Sequence, residues 1–204
     1  MARSNKSWID RQAKDVFTKQ ARASHYRSRA AYKLSAIDEK DKLFRKVQTV
    51  VDIGASPGSW SQYASEQIGP QGRIIAVDIL PMQPIDNVRF IKGDFTDEEV
   101  VNACTAELSG ARADLVLSDI APNLSGVRAS DQARSMYLAE LVLDFAAEVL
   151  NKDGDFLVKL FQGEGTDQYK KELNERFQKV MVRKPQASRD SSREFYILAR
   201  GYRV

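Results

Sequence analysis

The sequence predicts an α/β fold, a mainly parallel sheet with helices on both faces. Three observations predict it. Short apolar runs that read as buried strands (VVDI, RIIAVD, RFIK, LVLS, FLVKLF) alternate with stretches of helical spacing. Strands alternating with helices imply parallel pairing through crossover helices. Several of these runs end in Gly or Asp, at the strand ends where open α/β sheets bind ligands. The chain has 204 residues, enough for one sizeable core, since domains commonly run ~100–200 residues.

The first strand and its turn are the stretch TVVDIGASPGSW, Thr49 to Trp60. An apolar run broken by Asp52 leads into Gly54, then Ala55-Ser56-Pro57-Gly58, then a segment able to continue as a helix. Such a turn places free backbone N–H groups and a helix N-terminus at a strand's carboxyl end. The spacing is not GxGxxG, which disfavours a pyrophosphate-binding turn and favours a nucleoside without phosphates.

Before that turn, SRAAYKLSAIDEK places Ala30, Leu34 and Ile37 at helical spacing with Ser28 as an N-cap. Lys33 borders the buried face, from which a lysine can reach toward a cleft. After it, GRIIAVDIL reads as a parallel strand ending in Asp78, 20 residues past Gly58, the offset of a ribose-binding acid. NVRFIKGDF gives a third strand running to Asp94, and TDEEVVNACTAEL a helix. ADLVLSDIAPNLSG gives a fourth strand running into Asp119. The next helix is expected to bury Leu138, Leu141, Val142, Phe145 and Val149 and to stop at NKDG. DFLVKLFQGEG repeats the strand-to-glycine pattern with Lys159 among apolar residues, followed by a helix, the strand VMVRKP, a polar loop and the strand EFYILARGY. In a parallel sheet the strand ends gather at one edge, so Gly54, Asp78, Asp94 and Asp119 are expected along one crevice.

Composition bounds the function. Hydrophobic residues at 43% and charged residues at 29% exclude a largely disordered chain. No apolar run approaches ~20 residues and the start has no signal-peptide core, so a cytoplasmic protein without a membrane partner is expected. A lone cysteine, Cys104, fits a reducing compartment, and a lone histidine, His25, forms neither a metal site nor a triad. No metal is expected. Residues 1–46 carry 13 Lys and Arg against 5 Asp and Glu, a balance of +8, while the remainder carries 18 against 23, a balance of −5. With a second basic cluster at Arg183, Lys184, Arg189 and Arg193, this asymmetry suggests a polyanion, and nucleic acid is the usual one. Residues 1–24 form a basic lead-in in which Trp8, Ile9, Val16 and Phe17 would make one amphipathic turn.

Taken together, DIGASPGSWSQY, VDILPM, GDF, SDIAPNLSG, YLAELVL, VKLFQGEG, and VRKP followed by SREFYILA resemble the bacterial heat-shock ribosomal RNA methyltransferases of the RrmJ/FtsJ family. The resemblance runs from about Ser28 to the C-terminus. It implies a Rossmann-like S-adenosylmethionine-dependent methyltransferase fold over residues 25–204, with a late antiparallel strand from Glu194 to Ala199. It also implies methylation of a uridine ribose 2′-hydroxyl in large-subunit (23S) ribosomal RNA, on the assembled subunit, by a monomeric enzyme. The family's catalytic tetrad falls on Lys33, Asp119, Lys159 and Glu194.

The residues suit that chemistry. Asp78 fits the ribose, Asp94 could accept from the adenine amine, and the Gly54–Gly58 turn brings backbone to the methionine part. Trp60 is a candidate to pack on the cofactor, with a core tryptophan as the equal alternative. Asp119 would favour the sulfonium cation. Desolvation and a second ammonium from Lys33 would depress the Lys159 pKa from its reference near ~10.4, so that a neutral Lys159 accepts the hydroxyl proton; a charged Lys159 paired with Asp119, positioning substrate without acting as base, is the open alternative. Asp119 opposes that shift while orienting the amine, and Glu194 supports Lys33 or the ribose. Arg27, Arg29, Lys33, Arg183, Lys184 and Arg189 are expected on phosphate, giving steep salt dependence. Tyr26, Tyr32 and Tyr196 are candidates to stack an extruded base, against the commoner reading of buried aromatics. Two other functions compete: a non-catalytic RNA-binding assembly factor, and a nicotinamide-dependent oxidoreductase, which lacks its GxGxxG turn.

Overall fold

A computed structural model describes residues 25–188 and 192–203; the expected amphipathic turn within residues 1–24, and Arg189, lie outside them. The strands are β1 (Thr49–Ile53), β2 (Arg73–Asp78), β3 (Val88–Lys92), β4 (Ala113–Ser118), β5 (Leu150–Phe161), β6 (Phe177–Arg183) and β7 (Glu194–Tyr202). The helices are α1 (Ala31–Asp41), α2 (Ser59–Ile68), α3 (Glu98–Glu107), α4 (Arg128–Val149) and α5 (Thr166–Arg176).

All seven strands join one sheet in the order β3-β2-β1-β4-β5-β7-β6. The pairs among β1 to β5 are parallel, whereas β7 runs antiparallel to both β5 and β6. The chain therefore winds outward from β1 to β3, then restarts at β4 on the other side of β1. Open α/β sheets bind ligands at that reversal, beyond the strands' carboxyl ends. The late antiparallel strand that the resemblance implied from Glu194 to Ala199 is β7, which runs on to Tyr202.

Alternation along the central strands divides the core between two faces. Val50, Ile74, Leu115, Leu117, Leu157 and Leu198 meet Leu34 and Ile37 of α1 and Trp60, Tyr63 and Ile68 of α2. Val51, Ile75, Val116, Phe156 and Ile197 meet Cys104 of α3, Val142 and Phe145 of α4, and Tyr169 and Leu173 of α5. Leu34 and Ile37 are 0% and 2% exposed, and each such burial contributes on the order of 1.5–3 kcal/mol. That anchorage fixes the phase of α1 and hence the direction of Lys33.

Three expectations need adjustment. Ser28 does not cap α1 directly: its Oγ accepts the Ala30 N–H at 3.1 Å, one turn ahead of the helix. The α4 stripe is rotated, so that Met136, Ala139, Leu143 and Ala146 are buried beside Val142, Phe145 and Val149, while Leu138 and Leu141 are only half-buried. Leu138 is turned instead toward the cleft described below. NKDG is not a stop between elements but the irregular start of β5, with Asp153 at φ 64° and a register shift opposite Ala113 and Leu115.

Candidate active site

The carboxyl ends of β1, β2, β3 and β4 open onto a cleft of about 460 Å³ whose walls include Gly54, Ser56, Asp78, Asp94, Phe95, Asp119, Ile120 and Leu138. Ligand pockets of ~300–1,000 Å³ typically hold a cofactor-sized molecule. Gly54, at φ 80°, is required twice: a Cβ there would lie 2.6 Å from the Ile120 backbone, and the positive φ strains any other residue. Its N–H donates to Val77 O at 2.9 Å, and the Asp119 N–H donates to Ile53 O at 3.1 Å. These bonds lock the turn and the β4 end on either side of β1.

Both oxygens of Asp78 are aimed by backbone donors: Oδ2 accepts from Ser56 N at 2.9 Å and Oδ1 from Leu80 N at 2.8 Å. Each carboxylate oxygen retains further acceptor capacity, which suits a vicinal diol. Asp94 Oδ1 accepts from the Thr96 N–H and hydroxyl, both at 2.9 Å, so that this acid too is held by its own loop.

A polar cluster adjoins the cleft on the face covered by α1 and α2. The antiparallel register places Lys159 opposite Tyr196 and Phe161 opposite Glu194, so Lys159, Tyr196 and Glu194 project from one face. Lys159 Nζ lies 3.0 Å from Asp119 Oδ1 and also donates to the Asp119 carbonyl. Lys33, arriving from α1, pairs with Glu194 Oε1 at 2.6 Å. Tyr196, fully buried, joins the two pairs: its hydroxyl donates to Asp119 Oδ1 at 3.0 Å, stands 3.5 Å from Glu194 Oε1, and its ring lies under Lys33 Nζ. Burial alone would raise the Glu194 carboxyl, but Lys33, the Ser188 hydroxyl at 2.9 Å and Lys159 bring it below the ordinary range. Burial and the neighbouring carboxylates of Asp119 and Glu194 hold the Tyr196 phenol well above its usual value, which keeps it a neutral donor. The four residues expected as a tetrad, Lys33, Asp119, Lys159 and Glu194, are thus brought together, and Asp119 belongs both to this cluster and to the cleft wall.

Beneath them lies a buried acid. Asp52 is 0% exposed; its Oδ2 accepts from Ser61 Oγ at 2.6 Å, and its Oδ1 has no hydrogen-bond partner. Burial pushes its pKa up to about 7, against the lowering effect of Ser61 and with the help of the Asp119 and Asp78 charges.

Of the six cofactor-site candidates, Gly54, Asp78, Asp94 and Asp119 line the cleft and Gly58 and Trp60 do not. The Trp60 indole is 2% exposed, donates to Ala30 O at 2.9 Å and packs against Tyr196. It supports the floor rather than forming a wall. Among the expected phosphate contacts, Arg183 makes a two-pronged pair with Asp41 and Arg27 bonds three backbone carbonyls. Burial rules out base stacking by Tyr196, and the Tyr26 hydroxyl donates to Glu66 Oε2 at 2.8 Å. Cys104 is buried, its thiol pushed up to about 12 by burial and by Glu107, which leaves it unfit as a nucleophile. Sequence reasoning missed Tyr196 as a linker, Ser188 and the isolation of Asp52. Tyr196 and Ser188 depend on contacts across strands and loops; only Asp52 left a signal, an acid inside an apolar strand.

Residues 26–202 match the family of FtsJ-like methyltransferases. The chain is 54% identical over 206 residues to the ribosomal RNA large subunit methyltransferase E of Marinobacter nauticus, covering 100% of both chains. It is 55% identical over 205 residues to the protein of the same name in Pseudomonas aeruginosa, covering 100% of this chain and 99% of that one. Among solved structures, a ribosomal RNA methyltransferase from Plasmodium falciparum superposes with a TM-score of 0.77 at 32% identity, over 87% of this chain and 98% of that chain.

Proposed function

The chain belongs to the family of FtsJ-like methyltransferases, and we propose that it transfers the methyl group of S-adenosylmethionine to the 2′-hydroxyl of a uridine ribose in large-subunit ribosomal RNA. The single observation that carries the chemistry is the Asp119–Lys159 pair at the edge of a nucleoside-sized cleft. The cytoplasm, where ribosomal subunits are assembled, is the corresponding location. Among the described residues no helix is long and apolar enough to cross a membrane.

The cleft fits the cofactor on its own evidence: two acids held by their loops for ribose and adenine, a glycine that admits close backbone approach, and a third acid suited to a cation. Asp78 would hold the ribose hydroxyls, Asp94 the adenine amine, and Asp119 the region of the sulfonium. S-adenosylmethionine supplies an electrophilic methyl on sulfur. The bond that forms joins that methyl to the ribose 2′-oxygen, the carbon–sulfur bond breaks, and the hydroxyl proton must leave.

Lys159 would receive that proton, a role its contacts with Asp119 support. Its amine is fixed by two acceptors of one residue, the Asp119 carboxylate and carbonyl, so it has little freedom to turn from the hydroxyl. Such fixation is the entropic part of catalysis, in which orientation supplies much of the rate. Lys33, paired with Glu194 at 2.6 Å, would hold the ribose or its phosphate, and Glu194 would hold Lys33 or the ribose, rather than take the proton. The oxidoreductase and non-catalytic alternatives give way to the methyltransferase family.

The proposal is tested by incubating the protein with methyl-labelled S-adenosylmethionine and purified large or small ribosomal subunits lacking the modification. Label enters RNA of the large subunit; label in neither subunit contradicts the proposal.

A further inference from the structure

Arg27 lies in the basic lead-in, where charge alone puts it on RNA phosphate. Its guanidinium donates instead to three backbone carbonyls, from Nη1 to Pro57 O at 3.1 Å and Gln83 O at 2.6 Å, and from Nη2 to Pro84 O at 2.7 Å. Pro57 belongs to the glycine turn after β1, and Gln83 and Pro84 to the loop after β2. Those segments form the cleft wall around Asp78. Ser56 links them again, its N–H donating to Asp78 Oδ2 and its Oγ to Pro81 O at 3.2 Å.

The approach is too close for a side chain at Gly58, where a Cβ would lie 2.9 Å from Arg27 Nη1 and 2.7 Å from Met82 Sδ. Arg27 is itself anchored to α2, through its own N–H to Gln62 Oε1 at 3.2 Å and the neighbouring Ser28–Ser59 hydroxyl pair at 2.7 Å. A guanidinium is a rigid planar fork. It satisfies carbonyls from two segments only while those segments keep a fixed spacing.

We propose that Arg27 is a positioning residue for the cofactor, tying the glycine turn to the loop after β2 so that Asp78 keeps the geometry that receives the ribose hydroxyls. The inference rests on the S-adenosylmethionine reading of the cleft and adds to it a residue that touches neither cofactor nor methyl. RNA contact is the competing role for the same side chain.

Isothermal titration of the full chain with S-adenosylhomocysteine, with no RNA present, separates the two. Arg27→Ala binds about tenfold more weakly, the scale of losing a net hydrogen bond or two. Arg27→Lys recovers part of the loss, since one ammonium reaches fewer of the three carbonyls. In steady-state assays the loss falls on the KM for cofactor rather than on kcat or on the KM for RNA, and the slope of log K against log salt for RNA binding is unchanged. Unchanged affinity for S-adenosylhomocysteine in Arg27→Ala overturns the proposal, and a salt slope smaller by about one then reassigns Arg27 to a phosphate. Should Arg27→Ala fail to fold, Arg27→Gln carries the same comparison. Wild-type protein that binds no S-adenosylhomocysteine would sink the cofactor reading itself, a distinct failure.

Discussion

Lys159 Nζ is held twice by one residue, 3.0 Å from the Asp119 carboxylate and hydrogen-bonded to the Asp119 carbonyl as well. Asp119 also lines the cleft, so on the proposed function a single strand end would set the position of the lysine relative to the methyl donor. Lys159→Ala is expected to lower single-turnover methyl transfer by about 10²–10⁴-fold, the range of a lost acid–base group, with S-adenosylhomocysteine affinity within about twofold of wild type. Lys159→Arg, whose guanidinium stays protonated and so cannot accept a proton, stays equally slow. Recovery of the rate by arginine would reduce Lys159 to a positioning cation.

Glu194 is held below its ordinary range by Lys33, Ser188 and Lys159 in spite of its burial. A depressed folded-state value contributes stability that is present above the unfolded pKa and lost as pH falls through the folded one. Glu194→Gln should therefore cost about 1–3 kcal/mol near pH 7, by leaving Lys33 without its charge partner, and the gap to wild type should shrink below pH 5. Denaturant midpoints at pH 4 and 7 check it. Equal stability of the two proteins at pH 7 would remove the pair from the stabilising contacts.

Asp52 has the opposite sign. Its folded-state pKa is raised to about 7 from 3.8 by burial, so the folded state holds a proton that the unfolded chain releases, and stability falls as pH rises between those values. The gap corresponds to at most ~4 kcal/mol. Asp52→Asn keeps an acceptor for Ser61 and has no charge to bury. Its stability relative to wild type should rise from pH 5 to pH 8, measured without cofactor. A difference that stays constant across that range contradicts the assignment.

Much of this arrangement was legible because it is local or periodic. Asp78, Asp94 and Asp119 each follow an apolar strand run, and Lys159 interrupts one, so their shared edge follows from parallel pairing alone. What pairs across the sheet was not legible. Tyr196, which residue type alone offers as a base-stacking aromatic or a buried one, becomes the link between the two ion pairs only through the register that sets it opposite Lys159. Arg27 looked like its basic neighbours until the turn and the loop after β2 met it with carbonyls. The α4 stripe shifted because Leu138 faces a cleft, a demand that helical periodicity does not encode. Trp60 shows the limit of residue type, since a tryptophan beside a cofactor turn serves equally as floor or wall.

The most direct test locates the methyl group. Large-subunit RNA labelled by the protein with methyl-tagged S-adenosylmethionine is digested to nucleosides and separated. The proposed function predicts label on 2′-O-methyluridine; label on a base-methylated nucleoside would contradict ribose methylation.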